Sequence, residues 1–196
     1  MKKYITLLLL VLSTTALVAQ KKEKIKGSKI VTTERREIDN FQELVIEDNL
    51  EVHLERGEKA EVKIEADENL HQIISLEQYN KTLRIFTTQL ASSYKKMIIR
   101  VTYTADLNLI SSKNESSINA IQELLLDKVT INAFDSSKLF INSNVKNFVL
   151  QAGDKSKMEL NIKSENVTIE LNKNASLKAL IVTDALKVDQ YQKSNA

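Results

Sequence analysis

The second half of the chain repeats itself with a period of nineteen positions, and this period is the feature that most constrains its fold. Four apolar residues open successive units at this spacing: Val129, Phe148, Val167 and Leu186. Each begins an apolar-polar-apolar triplet that alternates as a strand does. A second alternating segment starts ten positions later in the first three units, at Leu139, Met158 and Leu177. A fixed period of about 20 residues with two strands per unit indicates a stacked β-solenoid.

Alternation within the units predicts which side chains point into the stack and which point to solvent. The third residue of each triplet is predicted inside: Ile131, Leu150, Ile169 and Val188. The middle residue is predicted outside: Thr130, Val149, Thr168 and Lys187. Another outward column comprises Phe140, Glu159 and Lys178. Asn142 and Asn161 stack beside it, and because Leu180 follows them, an asparagine ladder there would be short.

Small residues mark the turn between the two strand segments of each unit, again at the repeat spacing: Ser137, Ser156, Ala175 and Ser194. The chain has no proline and only three glycines. Asn, Asp and Ser tolerate left-handed backbone and are therefore predicted to form turns, as in Asp135–Ser137, Asn142–Asn144 and Asn172–Asn174. In the first half, Gly57 is the glycine predicted to supply a positive φ. The preference of parallel crossovers predicts a right-handed coil.

The residues ahead of the repeats predict a less regular strand region. Strands are predicted from about Glu37 onward by five alternating or apolar segments: Leu44–Ile46, Leu50–Leu54, Val62–Ile64, Leu83–Phe86 and Met97–Val101. Asp67 precedes apolar residues whose spacing fits one or two helical turns with Asp67 as N-cap, or the entry of a strand. The first repeat opens at Leu107, three positions further ahead of Val129 than the period requires, so it carries a few extra residues.

Residues 1–19 have the composition of a secretory signal peptide. Lys2 and Lys3 precede an apolar run that is too short for a comfortable transmembrane helix, and cleavage is predicted after Ala19. The protein is therefore predicted to be exported, with no transmembrane span after cleavage. Residues 20–36 are predicted to be a polar lead-in to one domain at residues 37–196. The coil that starts at Leu186 is incomplete, which indicates a longer protein or an end capped by a partner.

Charge and cysteine content exclude several classes of function. Of the 28 basic residues, Lys2 and Lys3 lie in the signal, and the remainder balances the 26 acidic residues. A neutral exported domain has no electrostatic case for binding nucleic acid. The chain has no cysteine, which excludes disulfides, thiol catalysis, cysteine-based zinc sites and a lipid anchor on cysteine.

The two histidines do not indicate a metal site. His53 lies between apolar residues of an alternating strand and is predicted to face outward, and His71 follows Leu70 in the short helical segment. Neither has further ligands at the close spacing that a metal requires, so both are predicted to be structural. No metal ligand and no cofactor-binding residue are predicted.

The carboxylates and serines do not indicate catalysis. Glu47, Asp48, Glu51 and Glu55 cluster in sequence, but they fit a solvated strand face better than the defined pair of a glycosidase. A mixed column indicates surface charge pairing rather than a cation site, and comprises Asp135, Asp154 and Lys173. No serine lies in a Gly-x-Ser-x-Gly elbow. No catalytic residue is predicted.

Aromatic residues give a weak indication of a binding surface. Phe140 is predicted to face outward, but its column continues with Glu159 and Lys178, so no aromatic row forms. Three tyrosines of the first half could border a groove: Tyr79, Tyr94 and Tyr103. The residues that bind a ligand are not identified by the sequence.

Four segments of the first half carry a family pattern: Ile38–Ile46, Leu50–Gly57, Asp67–Leu70 and Thr82–Ile85. With the later serine-centred units, they resemble the putative auto-transporter adhesin head, or GIN, domain, from about Glu37 to the C-terminus. The resemblance implies an exported protein of the Gram-negative envelope that folds as a right-handed β-helix-like solenoid, without a catalytic motif. The later turns of the family often read Ser-Gly, whereas here they read Asp135–Ser137 and Lys155–Ser156. The family's domain also usually continues through at least one more turn than this chain has.

Together these observations predict an all-β, non-catalytic binding or structural module of the cell envelope, in the periplasm or at the cell surface. Its ladder faces would recognise an extended polymer or a protein, such as a glycan or an envelope protein. One alternative is a polysaccharide-active enzyme, which would require carboxylates and a base on one exposed face. Another is an assembly protein that self-associates by strand addition at its open C-terminal edge.

Overall fold

The computed structural model of the protein describes residues 22–196, and this part of the chain is almost entirely β structure. Its 3₁₀ helix spans Glu68–Ile73. The strands are β1 (Lys24–Lys26), β2 (Val31–Glu37), β3 (Glu43–Ile46), β4 (Glu51–Arg56), β5 (Glu61–Asp67), β6 (Ile74–Tyr79), β7 (Thr82–Thr87), β8 (Leu90–Ser92), β9 (Met97–Tyr103), β10 (Leu109–Ser112), β11 (Ser117–Ala133), β12 (Lys138–Ala152), β13 (Lys157–Leu171) and β14 (Ser176–Gln190). The predicted signal peptide at residues 1–19 lies outside the described residues.

Strands β11 to β14 lie side by side in parallel, and their register is the sequence period. Val129 pairs with Phe148, which pairs with Val167, which in turn pairs with Leu186. Because each strand starts beside the start of the previous one, the chain must return to its starting edge within each unit. It does so at a bend in mid-strand, where the ladder skips one residue per strand: Asp127, Lys146, Glu165 and Asp184. The all-β prediction is confirmed; the right-handed β-helix stays a prediction.

The first half of the chain extends the same sheet in two branches. The first half of β11 pairs with β4, which leads through β9 and β5 to β2. The second half of β11 pairs with β10, which leads through β3 and β7 to β6. The region predicted to be irregular therefore continues both halves of the repeated strands. Only β1 and β8 form a separate two-stranded sheet among the described residues.

The extra residues of the first unit lie within β11, ahead of the bend at Asp127. They number two rather than the three predicted from the spacing of Leu107 and Val129, because Leu109 pairs with Thr130. Ala120 pairs with Ile141, whereas Leu124 pairs with Ser143, so four steps along β11 correspond to two steps along β12. The register therefore shifts by two positions between Ala120 and Leu124, as a bulge does when it absorbs an insertion without changing the flanking pairs.

The inward columns form the core, as predicted for all units except the last. Ile131, Leu150 and Ile169 are fully buried. Val188, predicted inside, is 42% exposed, and Leu186 in the same strand is 53% exposed. The reason is that the second half of β14 pairs with β13 alone, so its side chains lack a neighbouring unit on one side. The prediction of a buried Val188 is wrong for this reason.

The turns between the repeated strands contain pairs of residues with positive φ, none of which is glycine: Asn114 and Glu115, Asp135 and Ser136, Asp154 and Lys155, Lys173 and Asn174, Gln192 and Lys193. A small buried residue follows each of the first four pairs: Ser116, Ser137, Ser156 and Ala175. Stacked turns are also linked by backbone hydrogen bonds, since the Ser136 N–H donates to the carbonyl oxygen of Asp154 at 2.9 Å. The prediction that polar residues form these turns is confirmed.

Two details of the turn prediction are wrong. Gly57 does not have a positive φ, and no described glycine does. Glycine fits at position 57 because there is no room for a side chain: a Cβ atom there would lie 2.4 Å from Cγ2 of Thr102. The segment Asn142–Asn144 is not a turn but lies within β12, where its ladder with β13 runs unbroken up to the bend at Lys146.

Strands begin earlier than the sequence predicts. Within the polar lead-in, β1 pairs with β8 and β2 pairs antiparallel with β5. Strand β2 reads Val-Thr-Thr-Glu-Arg-Arg-Glu, so its apolar signal is weak, and its place at a sheet edge makes a polar sequence suitable. The division into a lead-in and one domain remains a prediction.

Asp67 links the polar lead-in to the sheet through hydrogen bonds. It occupies the N-cap position of the 3₁₀ helix but makes no side-chain capping bond to it. Instead its buried carboxylate accepts backbone N–H bonds from Lys29 at 2.8 Å and from Lys95 and Lys96 at 3.0 Å. Burial alone would raise the pKa of this carboxyl. The backbone donors outweigh burial and hold the pKa below its usual value.

Replacing Asp67 by Asn is expected to lower the free energy of unfolding at neutral pH. The amide replaces one accepting oxygen with an NH₂ group, which would then face backbone N–H donors. The folded-state pKa of Asp67 is depressed, so its contribution is present above the unfolded pKa of about 4 and is lost as the pH falls through the folded pKa. The difference in the free energy of unfolding between the wild type and D67N should therefore become smaller in acid. Urea melts at several pH values test this, with Asp39→Asn at an exposed position as control; a constant gap would contradict it.

Candidate binding groove

The two histidines lie apart and each contacts a carboxylate. His53 faces outward on β4, where its Nε2 lies 2.9 Å from Oε1 of Glu51. His71 is buried in the 3₁₀ helix, with Nε2 2.9 Å from Thr32 Oγ1 and Nδ1 3.1 Å from Glu34 Oε2. Within residues 22–196, no group of three His, Asp or Glu side chains is placed to hold a metal ion.

The four carboxylates clustered in sequence have separate partners. Glu47 lies 2.6 Å from Arg84, and this hydrogen bond raises the pKa of the arginine. Asp48 accepts the Thr87 N–H at 2.8 Å and pairs with Lys22. The other two, Glu51 and Glu55, contact His53 and Arg100 respectively, both at 2.9 Å. Two of the carboxylates lie in the β3–β4 turn and two in β4, each with its own partner, so the structure does not bring them together as an acid-base pair.

The three tyrosines of the first half do not border one groove. Tyr103 is fully buried, and burial raises the pKa of its hydroxyl. Tyr79 lies at the exposed tip of the β6–β7 hairpin, and Tyr94 is half-buried beside Gly27. The prediction of one groove bordered by all three tyrosines is therefore wrong, because alternation in β9 turns Tyr103 into the core. Tyr94 does line a groove, of about 380 Å³, with Glu51 and Lys96.

Two grooves of the stack are lined by charges that pair with one another. The turn groove, about 550 Å³, contains the predicted mixed column, in which Lys173 lies 3.3 Å from Asp154. The bend groove, about 490 Å³, contains Lys146 at 2.9 Å from Asp127. This hydrogen bond lowers the pKa of Asp127 and raises that of Lys146. The side chains of Lys146 and Asp127 are largely exposed, so this ion pair contributes little to stability.

Hydroxyl groups in the bend replace the hydrogen bonds that the ladder loses there. Ser164 Oγ lies 2.9 Å from the carbonyl oxygens of both Lys146 and Asn166 and donates to one of them. Thr183 Oγ1 makes the equivalent contacts with Glu165 and Ala185 at 3.0 Å. The bend groove is therefore explained by the requirements of the fold.

A third groove differs because an aromatic ring opens onto it. It lies on the outward face of the first halves of β12, β13 and β14, residues 138–142, 157–161 and 176–180. We call it the Phe140 groove, with a volume of about 440 Å³. Six outward side chains line it: Phe140, Asn142, Glu159, Asn161, Lys178 and Leu180. They form the two outward columns that alternation predicts.

The contacts within the Phe140 groove leave a broad polar surface beside an apolar one. Asn161 Nδ2 donates to Asn142 Oδ1 at 2.7 Å, which confirms the short asparagine ladder and orients both amides along the stack. Glu159 and Lys178 are 3.9 Å apart and largely exposed, so their pairing is weak. Phe140 is 42% exposed, and Leu180 at the opposite corner is 69% exposed.

The chemistry of this groove suits a neutral polar ligand with an apolar face. The exposed ring of Phe140 offers a surface for stacking, and the amides offer hydrogen-bond donors and acceptors beside it. The opposite charges of Glu159 and Lys178 balance, so neither anions nor cations are favoured. Alternation predicts that Phe140 faces outward, but the groove exists only where its column lies beside the amide column of Asn142 and Asn161.

These features define a class of protein: an all-β stack of repeated strands with open polar ladder surfaces. The chain belongs to the family described as "Putative auto-transporter adhesin, head GIN domain", whose pattern matches residues 40–192. This confirms the resemblance noted from the sequence. No protein with a curated description matches the chain in sequence.

Solved structures share the fold at low sequence identity. A putative adhesin from Bacteroides fragilis NCTC 9343 is 14% identical, with a TM-score of 0.58 over 87% of this chain and 98% of its own. A putative lipid binding protein from Parabacteroides distasonis ATCC 8503 is 11% identical, with a TM-score of 0.57 over 87% of this chain and 100% of its own. At these identities the likeness concerns the fold alone. Among the described residues, no helix has the length and apolar character to cross a membrane.

Proposed function

We propose that this protein is a non-catalytic binding module of the cell envelope that holds a neutral glycan chain in the Phe140 groove. The observation that carries the proposal is the half-exposed ring of Phe140 beside the aligned amides of Asn142 and Asn161. A sugar ring has an apolar C–H face that can pack on an aromatic ring, and hydroxyls at its rim that can bond to amides. The family description as an adhesin supports a binding role.

The repeat favours an extended ligand over a compact one. Neighbouring units present successive side chains about 4.8 Å apart along the stack, so a polymer can lie across several units. The groove is shallow and open, and each contact within it is weak. Affinity would then come from several contacts along the polymer rather than from one enclosed pocket.

The proposal also includes the compartment of the protein and the handedness of its coil. Export through the predicted signal peptide would place the domain in the periplasm or at the cell surface, where glycans and envelope proteins are available. The parallel register of β11 to β14 supports a coil with one turn per sequence repeat, for which a right-handed sense is expected.

Replacing Phe140 by Ala is expected to weaken glycan binding roughly tenfold or more, the loss expected when a stacking aromatic is removed from a binding surface. Tyr79→Ala is the matched control, since it removes an exposed aromatic ring from a remote hairpin. Binding of the purified protein to a panel of neutral and charged envelope glycans measures both variants. Equal binding by F140A and the wild type would place the site elsewhere.

The same glycan incubations, with a parallel incubation with envelope proteins, separate the proposal from its alternatives. Release of new reducing ends would show a polysaccharide-active enzyme and overturn the non-catalytic role. Retention of an envelope protein but of no glycan, lost in F140A, would assign the groove to a protein partner.

A further inference from the structure

Strand β14 leaves the longest open sheet edge in the described part of the chain. It has 15 residues and pairs with β13; on its other side Ser176 forms a single bridge with Asn195, and the edge is open beyond Leu177. Its apolar side chains are unusually exposed, at 69% for Leu180, 61% for Val182, 53% for Leu186 and 42% for Val188. An unpaired strand flanked by exposed apolar side chains is a template for pairing with another strand.

The other two ends of the large sheet are protected by contrast. Strand β2 carries four charged residues in its seven, at Glu34–Glu37, and β6 has only six residues with Glu77 near its end. Short length and charge are the usual means by which proteins block edge pairing. Residues 179–182 of β14, Ala-Leu-Ile-Val, contain no charge, and thus β14 lacks this protection where it is most apolar.

In the second half of β14, residues 185–190, the free backbone N–H and C=O groups belong to the residues whose side chains face inward. The Tyr191 N–H donates to the Leu171 carbonyl, so alternation directs the backbone groups of Lys187 and Asp189 toward β13 as well. The backbone N–H and C=O groups of Leu186, Val188 and Gln190 then point away from β13, to the open side of β14. A partner strand can therefore bond to Leu186, Val188 and Gln190 without disturbing the ladder to β13.

The charges of this segment complement themselves across a two-fold axis. Lys187 and Asp189 lie on either side of Val188 and are 3.0 Å apart within one chain. If two copies pair antiparallel with Val188 opposite Val188, then Lys187 lies opposite Asp189 of the other copy in both directions. These would be non-hydrogen-bonded pairs, in which facing side chains come closest.

We propose that the protein forms a dimer in which residues 185–190 of β14 pair antiparallel with the same segment of a second copy, centred on Val188. Head-to-tail stacking is disfavoured because the opposite end of the sheet divides into two branches, ending at β2 and β6, and offers no strand that matches β14. A two-fold contact uses the same surface on both copies and closes after two. The Phe140 groove faces outward from the first half of the strand, so this contact is separate from it.

A charge-exchange series tests the dimer by sedimentation or light scattering across a wide range of concentration. The wild type should show a dimer whose fraction rises with concentration. Lys187→Glu places Glu opposite Asp189 twice and should weaken the dimer at least tenfold, whereas the double variant K187E/D189K should restore it. Lys178→Glu, an equal charge reversal in the first half of β14, should leave the dimer unchanged.

Val188→Pro provides a second, independent variant. Proline removes an N–H that points to the open side, and it is tolerated on edge strands, so the fold should survive while the dimer is lost. Circular dichroism and thermal melts check the fold of each variant. A wild type that stays monomeric at every concentration, or a dimer that neither K187E nor V188P weakens, would overturn the proposal. So would binding of an unrelated extended peptide by a monomeric chain.

Discussion

Removing one whole repeat unit is expected to leave a folded protein with one turn fewer. Deletion of residues 149–167 joins Phe148 to Thr168 within one strand. Phe148 already occupies the same inward column as Val167, so alternation continues unbroken, with Thr168 outward and Ile169 inward. Each unit contacts only its neighbours, so the remaining units can close over the gap.

A deletion one residue longer is expected to fail. Removing residues 149–168 joins Phe148 to Ile169, which turns Ile169 and Leu171 outward and Glu170 inward. A shift of one residue exchanges the two faces of a strand, and a carboxylate would enter the core in place of an apolar side chain. The shorter chain cannot correct this by forming a bulge, because a bulge requires an extra residue.

Thermal melts followed by circular dichroism compare the two deletions. The deletion of 149–167 should give a cooperative transition at a somewhat lower temperature than the wild type. The deletion of 149–168 should give a broad transition or none. Similar, cooperative melts for both chains would show that the register of the repeat does not determine the fold.

The second large effect is expected at Phe148. Phe148→Ala should reduce the free energy of unfolding by about 3–5 kcal/mol, because the ring is 1% exposed and its loss leaves a cavity between stacked units. Phe140→Ala on the same strand should cost about 1 kcal/mol or less, since the ring of Phe140 is already partly in water.

Urea unfolding of the two variants measures this difference directly. The pair is closely matched, with the same substitution eight positions apart in β12 and only the facing of the side chain changed. Equal losses would mean that Phe140 belongs to the core, and F140A could then no longer be used as a binding variant. A small loss at Phe140 makes any loss of glycan binding attributable to the groove.

The sequence was sufficient for the parts of the fold that depend on period and alternation. The inward positions of Ile131, Leu150 and Ile169 follow from spacing alone, because stacking in register buries the same position of every unit. The positive φ values at Asp135 and Ser136 follow from the scarcity of glycine and the tolerance of Asp and Ser for such turns. These are local rules, and the repeat applies them several times.

The failures involve residues whose environment depends on distant parts of the chain. Asp67 was expected to cap a helix, but its partners Lys95 and Lys96 are brought to it by β9, which sequence spacing does not reveal. Val188 obeys the inward pattern but is exposed because burial requires a unit on each side. The Phe140 groove likewise needs three strands before its walls exist, so no single segment could predict it.

The bend and the turn in each unit also determine how the molecule would respond to being pulled. A force on the C-terminus acts first on β14, whose ladder is formed with β13, and then on each preceding strand in order. Each detached repeat unit releases up to about 65 Å of extended chain while the rest stays folded. A module of this construction would therefore lengthen in steps under tension, one repeat unit at a time, instead of unfolding all at once.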